Sequence, residues 1–504
     1  MNENDLFEAI GETDDEMLEN AENPQKKNNT WIKISGAAAA VSIVAAGAAG
    51  IKAITDDIHA GDIADNTTAA AANSNPPNAY SPETVAMLLS AATYPDMPQY
   101  PVEFSENFDE QYDKWNSFIR ENRYISPVTY LDSINKFTQD SMNAFLTDSG
   151  NENRIVSPMN IYFALGLLAE SAEGNSRQQI LDLMGAEDMD TLREYSNTMW
   201  KRNYSDDGAF VSIFANSVWL SDILSYNTDT LKLLSESYYA DIFSGNVADK
   251  AYTNAFQEWL NVKTGGMLEE EAKQLEFDPE TVFSLASTVY FRGKWYSDFN
   301  PELTEKDIFT TPSGEKTECD FMKREEEDSY FWGDNFSAMR MDFDGSNGQM
   351  WLFLPDEGVT TDELIESGEI MKLLNDKSYR ESHWKRLIVN FALPKFDTAY
   401  STDLKAGFAE MGVTDVFDSN SADFTGLLGE EYSNTALSAA QHAVRVAIDE
   451  EGCTATAFTA MMAAGAAPPP DEKVDFILDR PFIFVITGAS NDPVFAGVIN
   501  NPAI

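Results

Sequence analysis

Helical periodicity early in the chain and strand-like runs late in it predict an α+β fold, not a repeating βαβ barrel. A third observation gives that fold an unusual property. Glu450 to Arg480 reads EEGCTATAFTAMMAAGAAPPPDEKVDFILDR, with no charge between Glu451 and Asp471 in a chain that is 23% charged. Cys453, Ala455, Ala457, Thr459, Met461 and Ala463 form one alternating series of small or apolar groups. In a strand they would share a face. Residues 453–467 contain no proline, which leaves ladder hydrogen bonds open on both sides. The run is written as a loop that can also live as a central strand.

The chain has 504 residues, enough for one large domain with appendages or several small ones. Its 34 Lys and Arg stand against 84 Asp and Glu, a formal net charge of -50. Such a surface repels nucleic acid and anionic headgroups. Two cysteines, Cys319 and Cys453, cannot form a disulfide framework and are expected as free thiols.

Residues 1–30 are polar and acidic, an expected disordered cytoplasmic tail. Residues 31–52 include WIKISGAAAAVSIVAAGAAGI, with no charge from Ile34 to Ile51. That run is near the short end of what crosses a bilayer. Lys26, Lys27 and Lys33 before it, against Asp56 and Asp57 after it, place the N-terminus inside and the body outside. The expectation is a single-pass anchor through residues 34–51, holding the body at the extracellular face of the membrane. A cleaved export signal, which would make the protein secreted, and a soluble alanine-rich helix are rival readings. Residues 53–82 are small and polar, a flexible tether. Residues 83–129 carry scattered aromatics and suit a helical arm packed on a body of residues 130–504.

Within the body, Asp132 to Leu146 has helical spacing in Ile134, Phe137, Met142 and Phe145. Ile155 and Val156 make a short strand, and Pro158 opens a helix through Leu168. Further helices are expected over Arg177–Met184, Leu192–Trp200 and Thr228–Tyr239, with another ending at Trp259 and Val262. Strands are expected over Phe210–Leu220, Val282–Tyr290, Thr317–Met322, Ser337–Phe343 and Met350–Leu354. Leu387–Phe391, Val444–Ile448, a run from Val474, Phe482–Ile486 and Val494–Val498 complete a strand-rich C-terminal half.

Catalytic patterns are lacking. The histidines are His59, His383 and His442, and neither HExxH nor a paired-cysteine pattern occurs, so no metal site is expected. There is no G-x-S-x-G elbow and no phosphate loop, so neither enzyme nor cofactor is expected.

Several blocks in order carry a family resemblance. They are IVSPMNIYFALGLLAESAEGNSRQQI from Ile155, ANSVW from Ala215, TVYFRGKW from Thr288 and LPKF from Leu393. His442-Ala443, Asp449 to Gly452, DRPF from Asp479 and FAGV from Phe495 follow. Over roughly residues 130–504 the chain resembles the serpins, as a bacterial-type member. The resemblance implies a large, mostly antiparallel central sheet with surrounding helices and an exposed reactive-centre loop that baits a peptidase. After cleavage and acylation the loop inserts as a central strand and traps the acyl-enzyme.

Carried over residue by residue, the resemblance makes Glu450, Glu451, Gly452, Cys453, Thr454, Ala455, Thr456 and Ala457 the hinge. Cys453 stands where threonine or serine is usual. Trp295 caps the sheet where it opens, and Ser157 and His442 join a polar cluster near its middle. Asn160 stands where the family commonly has serine, and Ser287 where it has asparagine. Counting from Gly452 places the reactive bond between Ala466 and Ala467, with Ala464, Gly465, Met461 and Met462 as other cut sites. Alanine there suits an elastase-like or subtilisin-like serine peptidase, with a cysteine peptidase as a further partner. The expectation is a monomeric inhibitor; the alternative is a non-inhibitory serpin acting as a surface binding or structural module.

Overall fold

Two sheets and the helices around them make up the computed structural model, which describes residues 36–47, 86–101, 107–125, 129–208, 210–344, 348–432, 434–452 and 472–503. All of these lie in the unit Ser35–Ile504. The chain begins with β1 (Gly36–Gly47), β2 (Met87–Ser90), α1 (Phe108–Asn122), α2 (Leu131–Leu146) and β3 (Arg154–Val156). It continues through α3 (Pro158–Ser171), α4 (Gly174–Met184), α5 (Met189–Asn203), β4 (Ser205–Asp206) and β5 (Val211–Ser221). Next come α6 (Thr228–Ser237), β6 (Ala240–Gly245), α7 (Lys250–Lys263) and β7 (Thr281–Arg292). β8 (Glu305–Thr310), β9 (Lys316–Trp332), β10 (Phe336–Asp342) and β11 (Gln349–Pro355) precede short helices between residues 361 and 382. The last strands are β12 (Trp384–Pro394), β13 (Phe396–Asp403), β14 (Thr435–Ile448), β15 (Lys473–Ile477), β16 (Phe482–Thr487) and β17 (Pro493–Ile499).

The first sheet has the order β13-β14-β1-β7-β5-β6-β2, with β4 on β5. The second runs β15-β12-β9-β10-β11-β16-β17-β3, with β8 on β9. Antiparallel pairs dominate both; β5–β6 and β12–β15 are parallel. Beneath the first sheet, α3 is buried along its whole length and packs on β1, β7 and β17. Its sequence, PMNIYFALGLLAES, is apolar nearly all round, which suits a helix enclosed on every side. Ser157 caps it by accepting the backbone N–H of Asn160, and Pro158 occupies a first-turn position that needs no hydrogen bond.

The stretch expected to cross a membrane is β1. It lies in the middle of the first sheet, antiparallel to β14 on one side and to β7 on the other. Val41, Ile43 and Ala45 join the main core, and Ala40 joins the core on the other face. Among the described residues no helix is long and apolar enough to cross a membrane. The single-pass anchor, and the placement on the outer membrane face that depended on it, are therefore overturned. The physical reason is that a strand buried on both faces reads as a continuous apolar run, as a membrane helix does. The tail and the tether lie outside the described residues.

Other boundaries move for local reasons. β9 runs on to Trp332, past the end expected at Met322, through the acidic run Glu325 to Asp328. Hydropathy hides a strand there, but Glu326 and Asp328 pair with Arg324 of β9 itself, and Glu325 and Glu327 meet cations on β15 and β12. Arg386 Nε lies 2.7 Å from Glu327, and Lys473 pairs with Glu325. β14 starts at Thr435, well before Val444, and the arm contributes β2 as well as α1. β6, β8 and β13 were not anticipated.

A second core lies between the first sheet and α7. Trp219 of β5 stacks on Phe243 of β6 at 4.2 Å between ring centroids, with Tyr252 and Phe256 of α7 edge-on. Trp219 is fully buried. Trp219→Ala is expected to destabilise the fold by about 3–5 kcal/mol, as for other large-to-small core changes. Urea unfolding of the variant checks this.

Candidate functional site

The site is built where β7 and β14 finish together at one end of the first sheet. β14 leads into a tight turn in which Asp449 bridges back to Gly452. Gly452 also bridges to Lys294, just beyond β7. At φ +108° this glycine has the backbone of a residue without a side chain. A Cβ there would sit 2.7 Å from Trp295 N and 2.8 Å from Gly293 O. No other residue fits without moving backbone.

Trp295 covers this end of the sheet. Its ring stacks on Phe343 at 4.9 Å, and its indole N–H donates to Asp449 O at 3.0 Å. Its backbone N–H donates to Glu451 O at 3.2 Å, and Phe299 N donates to Glu450 O at 3.0 Å. The Glu450 carboxylate accepts from Lys395 Nζ at 2.6 Å and from Thr304 Oγ1 at 2.8 Å. Burial pushes the Glu450 pKa up, but these bonds outweigh it and leave the carboxyl below its ordinary value. Glu450 is thus an ionised clamp on the turn. The sequence assigns Lys395, Thr304 and Phe343 no role at this site; Lys395 is visible in LPKF and Thr304 follows TVYFRGKW, but nothing pairs either with Glu450.

Near the middle of the sheet, the N-terminus of α3 reaches both strands that flank β1. Ser157 N donates to His442 Nε2 of β14 at 3.1 Å, and Asn160 Nδ2 donates to Ser287 Oγ of β7 at 2.8 Å. Ser157 Oγ donates to Val494 O at 2.7 Å. Since Nε2 of His442 accepts, its proton sits on Nδ1, which faces the Ala40 carbonyl of β1 at 3.1 Å. Burial holds the imidazole pKa down, at about 4, against the smaller opposing effect of that carbonyl. The side chains of His442, Ser157, Asn160 and Ser287 are all buried. Asn160 Oδ1 has no protein partner among the described residues.

The two departures from the family pattern therefore meet each other, with the amide on the helix and the hydroxyl on the strand. Val41 of β1 pairs with His442 on one side and Ser287 on the other. Ala40 joins this cluster through its carbonyl, while Ser42, one residue on from Val41 and so on the other face, has its Oγ 3.4 Å from Ser284 Oγ. Glu450, Glu451 and Gly452 are gathered under Trp295. Cys453, Thr454, Ala455, Thr456 and Ala457, and the bond between Ala466 and Ala467, lie outside the described residues. Cys319 is a buried free cysteine whose thiol burial pushes up to about 11.

A family model described as Serpin (serine protease inhibitor) matches residues 132–502. Neuroserpin of Mus musculus is 25% identical over 403 residues, covering 75% of this chain and 93% of its own. An uncharacterized serpin-like protein of Methanosarcina acetivorans is 24% identical over 376 residues, 73% of this chain and 85% of its own. Among solved structures, the native state of the thermophilic serpin tengpin aligns with a TM-score of 0.64 at 23% identity, over 83% of this chain and all of tengpin. An Arabidopsis serpin in its native stressed conformation aligns at 0.62 and 23%, over 75% of this chain and all of its own. The α+β serpin fold is shared, and the family is one of peptidase inhibitors, not enzymes. With the match spanning the body that holds this turn, helix cap and sheet, the chain belongs to the serpin family.

Proposed function

We propose that the protein is a suicide-substrate inhibitor of serine peptidases that cut after small residues, elastase-like or subtilisin-like. A serine peptidase attacks the bond between Ala466 and Ala467 and becomes acylated. The freed strand then inserts between β7 and β14 and carries the peptidase along before water can release it. The observation that carries this reading is Gly452, held at the end of β14 by bridges to Asp449 and Lys294. A strand that continued the Asp449–Gly452 pairing would run back along β14. The small residues from Cys453 to Ala457 offer no charge or proline to obstruct that path. A cysteine peptidase that cuts at the same residues would be held in the same way, and one monomer suffices. The serpins to which the chain is similar include animal, plant and archaeal proteins, so the reading is made at the level of the family and not of a bacterial type.

A second reading has one observation in its favour. The position an inserting loop would take is already filled by β1, and a permanently filled sheet suits a non-inhibitory binding or structural module. Incubation with pancreatic-type elastase separates the two. The inhibitor reading expects a complex that survives boiling in detergent, whereas a cleaved chain with fully active elastase, from wild type and from a variant with a weakened β1 alike, would support the module. Thr456→Arg should abolish that complex while cleavage continues, because an inserting guanidinium must be desolvated. Undiminished trapping by the variant would count against strand insertion.

Under this reading the α3 N-terminus is a latch on the sheet. Ser157 and Asn160 hold β14 and β7 from below, and a half-broken buried polar cluster is costly. Protonation of His442 would deprive Ser157 N of its acceptor. The imidazole titrates at about 4 in the fold against 6.5 as its ordinary value, so the unfolded chain binds more protons between those limits. Stability from this residue is therefore full above about pH 6.5 and is lost as pH falls toward 4. The loss should reach roughly 2 kcal/mol by pH 5. Urea midpoints of wild type and His442→Gln, compared at pH 7 and pH 5, should show that much less pH dependence in the variant.

A further inference from the structure

β1 carries a consequence beyond inhibition itself. It stands between β14 and β7, antiparallel to both. A loop turning at Gly452 and running back along β14 would have the same direction. It would also have matching partners. Continuing the antiparallel count from the Asp449–Gly452 bridge sets Thr459 opposite His442 and Met461 opposite Ala440. In the structure His442 is opposite Val41 and Ala440 is opposite Ile43. Directly opposed residues point to one face of a sheet. Val41, Ile43 and Ala45, all buried in the main core, thus hold the places of Thr459, Met461 and, beyond the bulge after Val44, the alanine-rich continuation of the loop.

The two segments cannot be accommodated together. Each facing edge of β7 and β14 presents one row of N–H and C=O groups, and one strand satisfies both rows. β1 also accepts the His442 Nδ1–H through the Ala40 carbonyl. Both rivals belong to the same chain, so dilution favours neither, and fit decides between them. Val41 and Ile43 are β-branched and wholly apolar, whereas Thr459 would bring a hydroxyl to the same core. The plug is the better occupant until something removes it.

We propose that residues 36–47 are an intramolecular plug that fills the loop's acceptor slot, so that the protein is an autoinhibited serpin which traps a peptidase only after the plug leaves. This rests on the inhibitor reading above, and the test keeps the two apart. The full-length chain is compared with Ile43→Asp, whose buried carboxylate expels the strand. A second variant, Ser42→Cys with Ala286→Cys in a Cys453→Ser background, joins two directly opposed positions so that oxidation locks the plug in place.

Two readouts are taken: the melting temperature with a synthetic peptide of residues 454–463, and the yield of detergent-stable elastase complex. The peptide is expected to raise the melting temperature of Ile43→Asp but not of wild type. Complex yield should rise on the order of tenfold in Ile43→Asp, in proportion to the fraction of vacant sheets. Complex should be absent from the oxidised double-cysteine protein and should return to the wild-type yield once it is reduced. Equal peptide response in wild type and Ile43→Asp, or an equal, non-zero complex yield from the oxidised and the reduced lock, would overturn the plug. Should Ile43→Asp fail to fold, Ile43→Thr, which keeps the β-branch but brings a hydroxyl to the same core, takes its place in both readouts. Peptide binding governed by the plug, with no elastase complex from any variant, would uphold the plug and overturn the inhibitor reading.

Discussion

The structure turns on one backbone requirement, that the facing edges of β7 and β14 be paired. Both are long strands in the interior of a sheet, β7 buried along nearly its whole length and β14 over most of its own. Unpaired N–H and C=O groups there would cost about 1–3 kcal/mol each. A chain that parts these strands must therefore supply another. Here the supplied strand is β1, and every functional question about the molecule becomes a question of which segment occupies that place.

The polar residues beneath the sheet follow from the same requirement. A single helix terminus holds both flanking strands, through Ser157 to His442 and through Asn160 to Ser287. These contacts coexist with a strand between β7 and β14, because they run underneath Val41 and not across its place in the sheet. The exchange of residue types at 160 and 287 preserves the contact, since an amide and a hydroxyl bond equally well with their positions reversed. A neutral His442 is needed for the arrangement: its Nε2 accepts from α3 while its Nδ1 donates to β1. Helix, outer strand and inner strand are thereby joined through one imidazole.

The α+β class was legible because long periodic segments such as Asp132–Leu146 and Val282–Tyr290 declare their type through burial alone. The contacts under Trp295 were less so. Tryptophan, glycine and the paired glutamates stand out in the sequence, but Lys395 and Thr304 reach Glu450 from distant parts of the chain. β9 was cut short because Glu325 to Asp328 look like a loop until their cations on β9, β12 and β15 are in place. β1 is the segment whose type hydropathy misassigns. Eighteen uncharged residues from Ile34 to Ile51 satisfy a hydropathy window, and the window is blind to whether hydrogen bonds close within a helix or across to neighbouring strands. Val41 and Ile43, alternating with small residues, were the available sign of a strand.

That error and the reading of the loop have the same chemical origin. GAAAAVSIVAAG at the start of the chain and CTATAFTAMMAAGAA near its end are both uncharged, proline-free and rich in alanine. Small side chains let a strand slip between two others without displacing the layers above and below, and absence of charge spares it desolvation on the way in. A segment under those constraints reads as a loop when flanked by a hinge, and as a membrane span when flanked by lysines. The slot itself has no means of telling the two apart except through Val41 and Ile43 against Thr459 and Met461. Those pairs of side chains, and not the gross composition of either segment, therefore set which strand the sheet keeps.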